Sequence, residues 1–294
     1  MDVQALKNQL LTLINDQSLL ATPHLEARKE ALDLIAYVGE IVKIPGNHSD
    51  LQDVYYQSLA LCEQLRTIDQ QLFQRVRADL IAGNFSPDSL RTLLNQFTAY
   101  TPDQRGQPDF EYNGLDVLLE QAIFPAPFPT QSREREPGMI RYEATPARII
   151  LELIDSLTLT PHDYFVDLGS GLGLVVILFH LLTGLPATGI EFDPVYCEYA
   201  QSRAAELNLK KVTFLNADAR SADLSQGTIF YFFTPFINEV FNTVLEKLRQ
   251  QAKRRSLYIC SYGTCTLELA KLPWLQIRDP AMEHDFKLAI FTSL

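Results

Sequence analysis

The chain has 294 residues, with 25 Lys or Arg against 36 Asp or Glu, a formal net charge of −11. Hydrophobic residues make up 47% and charged residues 21%, a globular composition with material for a sizeable core in one large or two ordinary domains. Non-specific nucleic-acid binding needs clustered cations to replace counterions on phosphates, so no nucleic-acid partner is expected. The acidity lies mainly in residues 1–140, which hold 11 basic and 19 acidic side chains against 14 and 17 in the remainder.

Residues 1–122 read as helical. Leu6, Leu10 and Leu13, then Leu32, Ile35, Val38 and Val42, then Leu65, Ile68, Leu72, Val76 and Leu80 recur at helical spacing, and Gly83 ends the last run. Ser86-Pro87-Asp88 has the grammar of a helix start, a capping hydroxyl followed by proline and a carboxylate in the first turn, and Thr101-Pro102-Asp103 repeats it. No catalytic constellation appears there. This half is expected to be an accessory domain, with a homodimer through it as one use. Residues 123–138 hold four prolines, several charges and a glycine, so they form a linker or an ordered loop running over a site.

From residue 139 to 294 the pattern changes. Thr145-Pro146 is expected to cap a helix reaching Leu157. Strands at 164–168, 187–191, 212–216, 229–233 and 257–261 then alternate with helices at 172–182, 194–207 and 237–251, and two more strands lie near 275–278 and 286–291. Such alternation implies an α/β fold, a Rossmann-like, seven-stranded, mostly parallel sheet with an antiparallel pair at one edge.

The four cysteines, Cys62, Cys197, Cys260 and Cys265, have no zinc-type spacing, and no metal is expected. The first residues lack a basic region followed by an apolar one, and the longest apolar stretch, 172–182, is too short to span a bilayer. The expectation is a soluble cytoplasmic protein without a membrane partner.

The first strand of the second half ends in Asp167, followed by Gly169, Ser170, Gly171 and Gly173. Glycines let the chain turn tightly and let a ligand approach the main chain, and open α/β sheets bind ligands at such strand ends. A dinucleotide would also use a glycine loop. Here position 174 is Leu where that fingerprint needs a third Gly, and the preceding carboxylate suits the cationic α-amino end of S-adenosylmethionine better than a pyrophosphate. Glu191 ends the second strand and can accept both ribose hydroxyls, with Phe192 against an adenine. The third strand ends in Asn216-Ala217-Asp218-Ala219. Asp218 can accept from the exocyclic amine of adenine, and the neighbouring backbone N–H, at Ala219, can read a ring nitrogen. The fourth ends in Phe232-Phe233-Thr234-Pro235-Phe236, where an acceptor would meet the methyl group, and Phe233 can wall a sulfonium or an amine. The sequence there is not the Asn/Asp-Pro-Pro-Tyr/Phe arrangement that methylates base amines. No general base can be assigned.

Residues 141–261 resemble the seven-strand class I methyltransferases, and more narrowly the DOT1-type branch that includes histone lysine methyltransferases. Tyr142-Glu143-Ala144-Thr145 falls where that family has Tyr-Gly-Glu-Thr over the cofactor, residues 165–173 match its Phe-Val-Asp-Leu-Gly-Ser-Gly-Val-Gly, and Gly189-Ile190-Glu191 matches its Gly-Val/Ile-Glu. The resemblance implies S-adenosylmethionine as cofactor, with Tyr142 and Thr145 added to its site. It departs at Phe232-Phe233-Thr234, where the family has Asn-Asn-Phe, and the basic nucleosome-binding region is missing. Methyl transfer to a small-molecule or protein acceptor is therefore expected. A cofactor-binding protein without turnover, or an NAD-dependent oxidoreductase, is the alternative.

Overall fold

The computed structural model describes residues 2–44, 49–97, 112–125, 127–279 and 284–294. The first half forms helices α1 (Val3–Asn15), α2 (Leu25–Val42), α3 (Ser49–Ala82), α4 (Pro87–Leu94) and α5 (Gly114–Ile123). The expected start at Ser86-Pro87 is present as a capping box, Ser86 accepting from the Ser89 N–H and Ser89 returning the bond. Thr101-Pro102-Asp103 lies outside the described residues. Leu6, Leu10, Ile35, Val38, Leu51, Val54 and Cys62 build an apolar cluster among α1, α2 and the start of α3. Beside it Arg28, fully buried, is bonded through Nε to Asp69 at 2.6 Å and through its terminal nitrogens to the carbonyls of Leu19, Ala21 and Thr22. A buried guanidinium is tolerated only when its donors are satisfied in this way.

The second half is a seven-stranded sheet of order β3-β2-β1-β4-β5-β7-β6. Its strands are β1 (Phe165–Leu168), β2 (Ala187–Glu191), β3 (Val212–Asn216), β4 (Ile229–Phe233), β5 (Tyr258–Tyr262), β6 (Leu275–Ile277) and β7 (Ala289–Ser293). The first five are parallel, and β7 runs antiparallel to both β5 and β6. The reversed strand therefore lies one in from the edge, and β6 is the edge itself. The central strands β1 and β4 are almost wholly buried because helices cover both faces. Those helices are α6 (Ala147–Ser156), α7 (Leu174–Thr183), α8 (Pro194–Glu206) and α9 (Asn238–Ala252), with a short α10 (Cys265–Leu269) that the sequence reading lacked.

Two local starts differ from expectation. Helix α7 begins at Leu174 rather than 172, because Gly171 and Gly173 take φ of +53° and +91°, a region no helix uses. Helix α6 begins at Ala147, but Thr145 does not cap it. The Asp116 carboxylate, from the first turn of α5, accepts the Ala147 N–H at 2.6 Å and the Asn113 N–H at 2.8 Å. Thr145 is thereby released toward β4, where its hydroxyl meets the Tyr231 hydroxyl at 3.1 Å.

One apolar cluster crosses residue 123. Leu72, Val76 and Leu80 of α3, Leu90 and Leu94 of α4 and most of α5 share it with α6, α7 and the sheet residues Phe165, Ala187 and Ile229. Polar ties reinforce it: Arg77 donates to the Ala122 carbonyl at 2.8 Å and pairs with Glu206 of α8, and Arg91 pairs with Asp155 at 2.6 Å. Among the described residues no helix is long and apolar enough to cross a membrane.

Candidate functional site

In the sheet order, β1 has β2 on one side and β4 on the other, so the connections leave it in opposite directions and open a crevice at its carboxyl end. Register sets what faces that crevice. Asp167 lies opposite Gly189 of β2 and Tyr231 of β4, and Glu191 lies opposite Asn216 of β3. The resulting cleft encloses about 960 Å³, including the solvent at its mouth.

Ten of the thirteen residues singled out from the sequence line this one cleft: Tyr142, Thr145, Asp167, Gly169, Ser170, Glu191, Phe192, Asp218, Ala219 and Phe233. The other three shape it from behind. The Gly171 N–H is bonded to Glu191 at 2.7 Å, and the Tyr142 ring lies where a Gly171 side chain would be. A Cβ on Gly173 would meet Phe214 at 2.5 Å and Ala200 at 2.9 Å, so this glycine lets α7 close onto α8 and β3. Asn216 turns its amide to the carbonyls of Glu191 and Phe192, both at 3.0 Å, and fixes the end of β2.

The three acids differ in state. Asp167 is buried, and among the described residues nothing hydrogen-bonds or ion-pairs with its carboxylate. Burial first, and then the nearby Glu191, push its pKa up to about 8. A buried carboxyl without a partner suits a cation brought by a ligand, and the unsatisfied Ser170 hydroxyl beside it is a second polar vacancy in the same loop. Glu191 is also raised by burial, against backbone bonds from Asp193 and Gly171 that pull it down. Its two oxygens accept the Gly171 N–H at 2.7 Å and the Asp193 N–H at 2.8 Å. Asp218 is instead held below the usual carboxylate range by Arg220, whose Nε sits 3.0 and 2.9 Å from its two oxygens.

Residues 131–145 form a strap along the cleft, the ordered-loop alternative for the proline-rich stretch. Asp193, N-cap of α8, accepts Ser132 N–H at 2.8 Å and Arg133 N–H at 2.6 Å while also capping Val195 and Tyr196. The Arg133 guanidinium lies 3.6 Å from the centre of the Phe192 ring. Glu136 bonds Arg220 at 2.5 Å. Met139 then bridges to Phe236, and the Ile140 N–H donates to the Pro235 carbonyl at 3.0 Å. Finally the Tyr142 ring meets Tyr196 edge-on at 5.7 Å.

At the end of β4 only one of Phe232-Phe233-Thr234 faces the cleft. Phe232 is buried against Phe236 and Phe241, on the other face of the sheet. Phe233 lines the cleft beside Tyr262, ring centres 4.9 Å apart. Thr234, at φ +38°, turns away and accepts the Cys265 N–H at 3.2 Å. Sequence reasoning missed Tyr231, Tyr196, Asp193, Arg220 and the strap arginines. Asp193-Pro194 carries the same cap-then-proline signal as Ser86-Pro87, so Asp193 was within reach. The others had no local signal.

Residues 140–253 match the family model described as "Histone methylation protein DOT1". A curated relative, the H3 lysine-79 specific histone-lysine N-methyltransferase of Caenorhabditis elegans, is 23% identical, the match covering 59% of this chain and 20% of that protein. The chain thus spans about a fifth of that relative's length. Among solved structures, an RNA methyltransferase from Salinibacter ruber in complex with S-adenosyl-L-homocysteine is 22% identical, over 51% of this chain and 92% of that one, with a TM-score of 0.39. A ribosomal protein L11 methylase from Lactobacillus delbrueckii subsp. bulgaricus is 13% identical, over 50% and 77%, with a TM-score of 0.40. The matched segment begins within the strap and runs through β4 and α9, so it holds every carboxylate of the cleft. The parallel sheet, the glycine loop after Asp167 and this match together show a class I methyltransferase-type fold whose residues 140–253 are similar to the DOT1 family.

Proposed function

We propose that this chain transfers the methyl group of S-adenosylmethionine to an acceptor that is a protein side chain or a small molecule. The observation that carries the reading is the convergence of Asp167, Glu191 and Asp218, from three neighbouring strand ends, on one cleft with the glycine loop of a DOT1-like domain. When bound, the cofactor supplies an electrophilic methyl on a sulfonium. The residues present fit it. Asp167 would hold the α-ammonium and Glu191 the ribose hydroxyls. Asp218 and Ala219 would read the adenine edge, with Phe192 along the ring. Arg220 keeps Asp218 ionised and so keeps it an acceptor. Tyr142, Tyr231 and Phe233 would surround the sulfonium end and exclude water. The chain's contribution to the displacement is positioning. An amine acceptor must arrive neutral, which a desolvated pocket favours.

Incubation with cofactor labelled in the methyl group and a fractionated cell extract tests the reading. Label should leave the cofactor and enter one fraction, protein or small molecule. Tight binding without turnover in any fraction would leave a cofactor-binding protein, and binding of NAD in preference to S-adenosylmethionine would defeat the assignment. The helical half is proposed as a self-association surface, supported by the exposed Tyr37, Ile44, Tyr56 and Leu59, and light scattering decides it. A cytoplasmic location and the absence of a nucleic-acid partner belong to the same proposal.

A further inference from the structure

A second cavity adjoins the cleft and encloses about 540 Å³, including the solvent at its mouth. Tyr142 and Leu174 line both, so one tyrosine ring and one leucine form a common wall. The far side comes from the helical half. Helix α5 supplies Asp116 and Glu120, and the residues after it supply Phe124 and Phe128. Asp116 and Glu120 are one helical turn apart and share a face of α5, where like charges repel. Asp116 is engaged in the fold, accepting the Ala147 and Asn113 N–H groups. Glu120 is not. Among the described residues its carboxylate has no hydrogen bond and no ion pair, and partial burial, then Asp116, push its pKa up.

Four aromatic rings line the same cavity: Tyr112, Phe124, Phe128 and Tyr142. Phe124 is anchored by stacking on Tyr199, ring centres 5.9 Å apart, and Phe128 tilts against it at 6.4 Å while staying 46% exposed. Tyr112 is held by its hydroxyl, which donates to the Ala144 carbonyl at 2.6 Å. Among the described residues that line the cavity none is a Lys, Arg or His. Ring faces and a carboxylate favour the same guest. The rings take an apolar body and attract a cation, and the carboxylate fixes where the charge sits. A neutral or anionic guest would leave Glu120 without a counter-charge. We propose that this cavity is a second ligand site and that it takes an organic cation, an ammonium group carried on an apolar or aromatic body. Glu120 meets the charge, and Phe124 and Phe128 cover the body. Its guest lies across Tyr142 from whatever occupies the cleft, and α5 gives the helical half a ligand of its own to recognise. The site does not rest on the cofactor reading given above.

The test uses three probes of one shape and different charge: 2-phenylethylamine as its ammonium, neutral 2-phenylethanol and anionic phenylacetate. Ligand-observed NMR titration follows each against the intact chain, its Glu120→Gln variant and its Phe128→Ala variant, with and without S-adenosylmethionine. Both substituted side chains are exposed, and melting without ligand confirms the fold. Wild type should bind the ammonium about 10-fold more tightly than the alcohol, and phenylacetate least. Glu120→Gln should bring the ammonium to the level of the alcohol and leave the alcohol unchanged. Phe128→Ala should weaken ammonium and alcohol alike, by about 3- to 10-fold. Equal affinity of wild type for ammonium and alcohol would overturn the proposal, as would an undiminished preference in Glu120→Gln or no saturable binding of any probe. Displacement of the ammonium by S-adenosylmethionine, with no effect of Glu120→Gln, would put the cation at Asp167 and overturn it too. The expected pattern in a protein that does not bind S-adenosylmethionine would support this site while defeating the cofactor reading.

Discussion

Asp167 is a carboxyl that the fold keeps out of water and that, among the described residues, has no partner. It holds its proton up to about pH 8, while unfolded it loses it near 3.8. Between those values the native state binds more protons than the unfolded one. The stability tied to the neutral carboxyl is therefore complete below about pH 4 and drains away as pH rises toward 8. Asp167→Asn should raise the melting temperature of the ligand-free protein at pH 7–8, with the gain vanishing near pH 4, and should abolish tight cofactor binding. Binding to wild type must ionise Asp167, so about one proton should be released per cofactor at pH 7. Calorimetry in buffers of different ionisation enthalpy reads this directly, and a release near zero would show that Asp167 is already ionised or does not meet the ammonium. Gly173→Ala would force a side chain onto Phe214 and Ala200 and into a strained backbone region. A loss of about 2–4 kcal/mol is expected in urea unfolding. Both residues were legible in the sequence because a loop of glycines after an acid at a strand end leaves few alternatives. The division of labour between them was not. Spacing cannot tell a glycine that faces a ligand from one that faces a phenylalanine.

At the scale of elements, the strap over the cleft depends on one side chain. Asp193 accepts from the first turn of α8 and from two consecutive strap N–H groups; burial pushes its pKa up, but the N–H groups of Arg133, Tyr196 and Ser132 and the Ser132 hydroxyl together hold it below the usual range. Asp193→Ala should cost about 1–2 kcal/mol from the lost cap alone. It should also make residues 131–136 a preferred site of limited proteolysis, with cofactor restoring protection. A strap as resistant as in wild type would show that Glu136 and the Met139 bridge suffice. None of this was readable from the sequence beyond the choice between linker and ordered loop. Its determinants pair residues some sixty to eighty positions apart, such as Arg133 with Phe192 and Glu136 with Arg220. Thr145 shows the converse. Its sequence grammar is that of a cap, but the Asp116 carboxylate competes for the same N–H and wins, leaving the threonine to Tyr231.

Over the whole molecule, the change of pattern near residue 139 marks where strands begin, yet the apolar core does not divide there. Helices α3, α4 and α5 contribute buried leucines to the cluster that covers α6 and α7. A chain cut to residues 139–294 would expose that face, and it should be insoluble or melt far below the intact protein. Removal of residues 1–44 strips most of a separate cluster, takes only Leu25 from the shared one, and should leave the cofactor site folded. Circular dichroism melting of the two truncations checks this; equal stability of the 139–294 piece would contradict it. The mostly parallel arrangement of the strands followed from their alternation with helices. The last strand did not. It was expected at 286–291 and forms at Ala289–Ser293, because Phe286 stays 41% exposed and its hydrophobicity says nothing of pairing.

Helix α8 is fastened at both ends to parts of the chain far from it in sequence. At its start Asp193 grips the strap, and at its end Glu206 is gripped by Arg77 of α3. It works as a tie rod between the helical half and the lid of the cleft. Slackening it at the remote end should shorten the time a bound cofactor stays, without touching any atom that meets it. Arg77→Ala is therefore expected to speed cofactor dissociation in stopped-flow measurements while the on-rate holds, so that helix α3, which contributes no residue to the lining of the cleft, sets the residence time of the ligand.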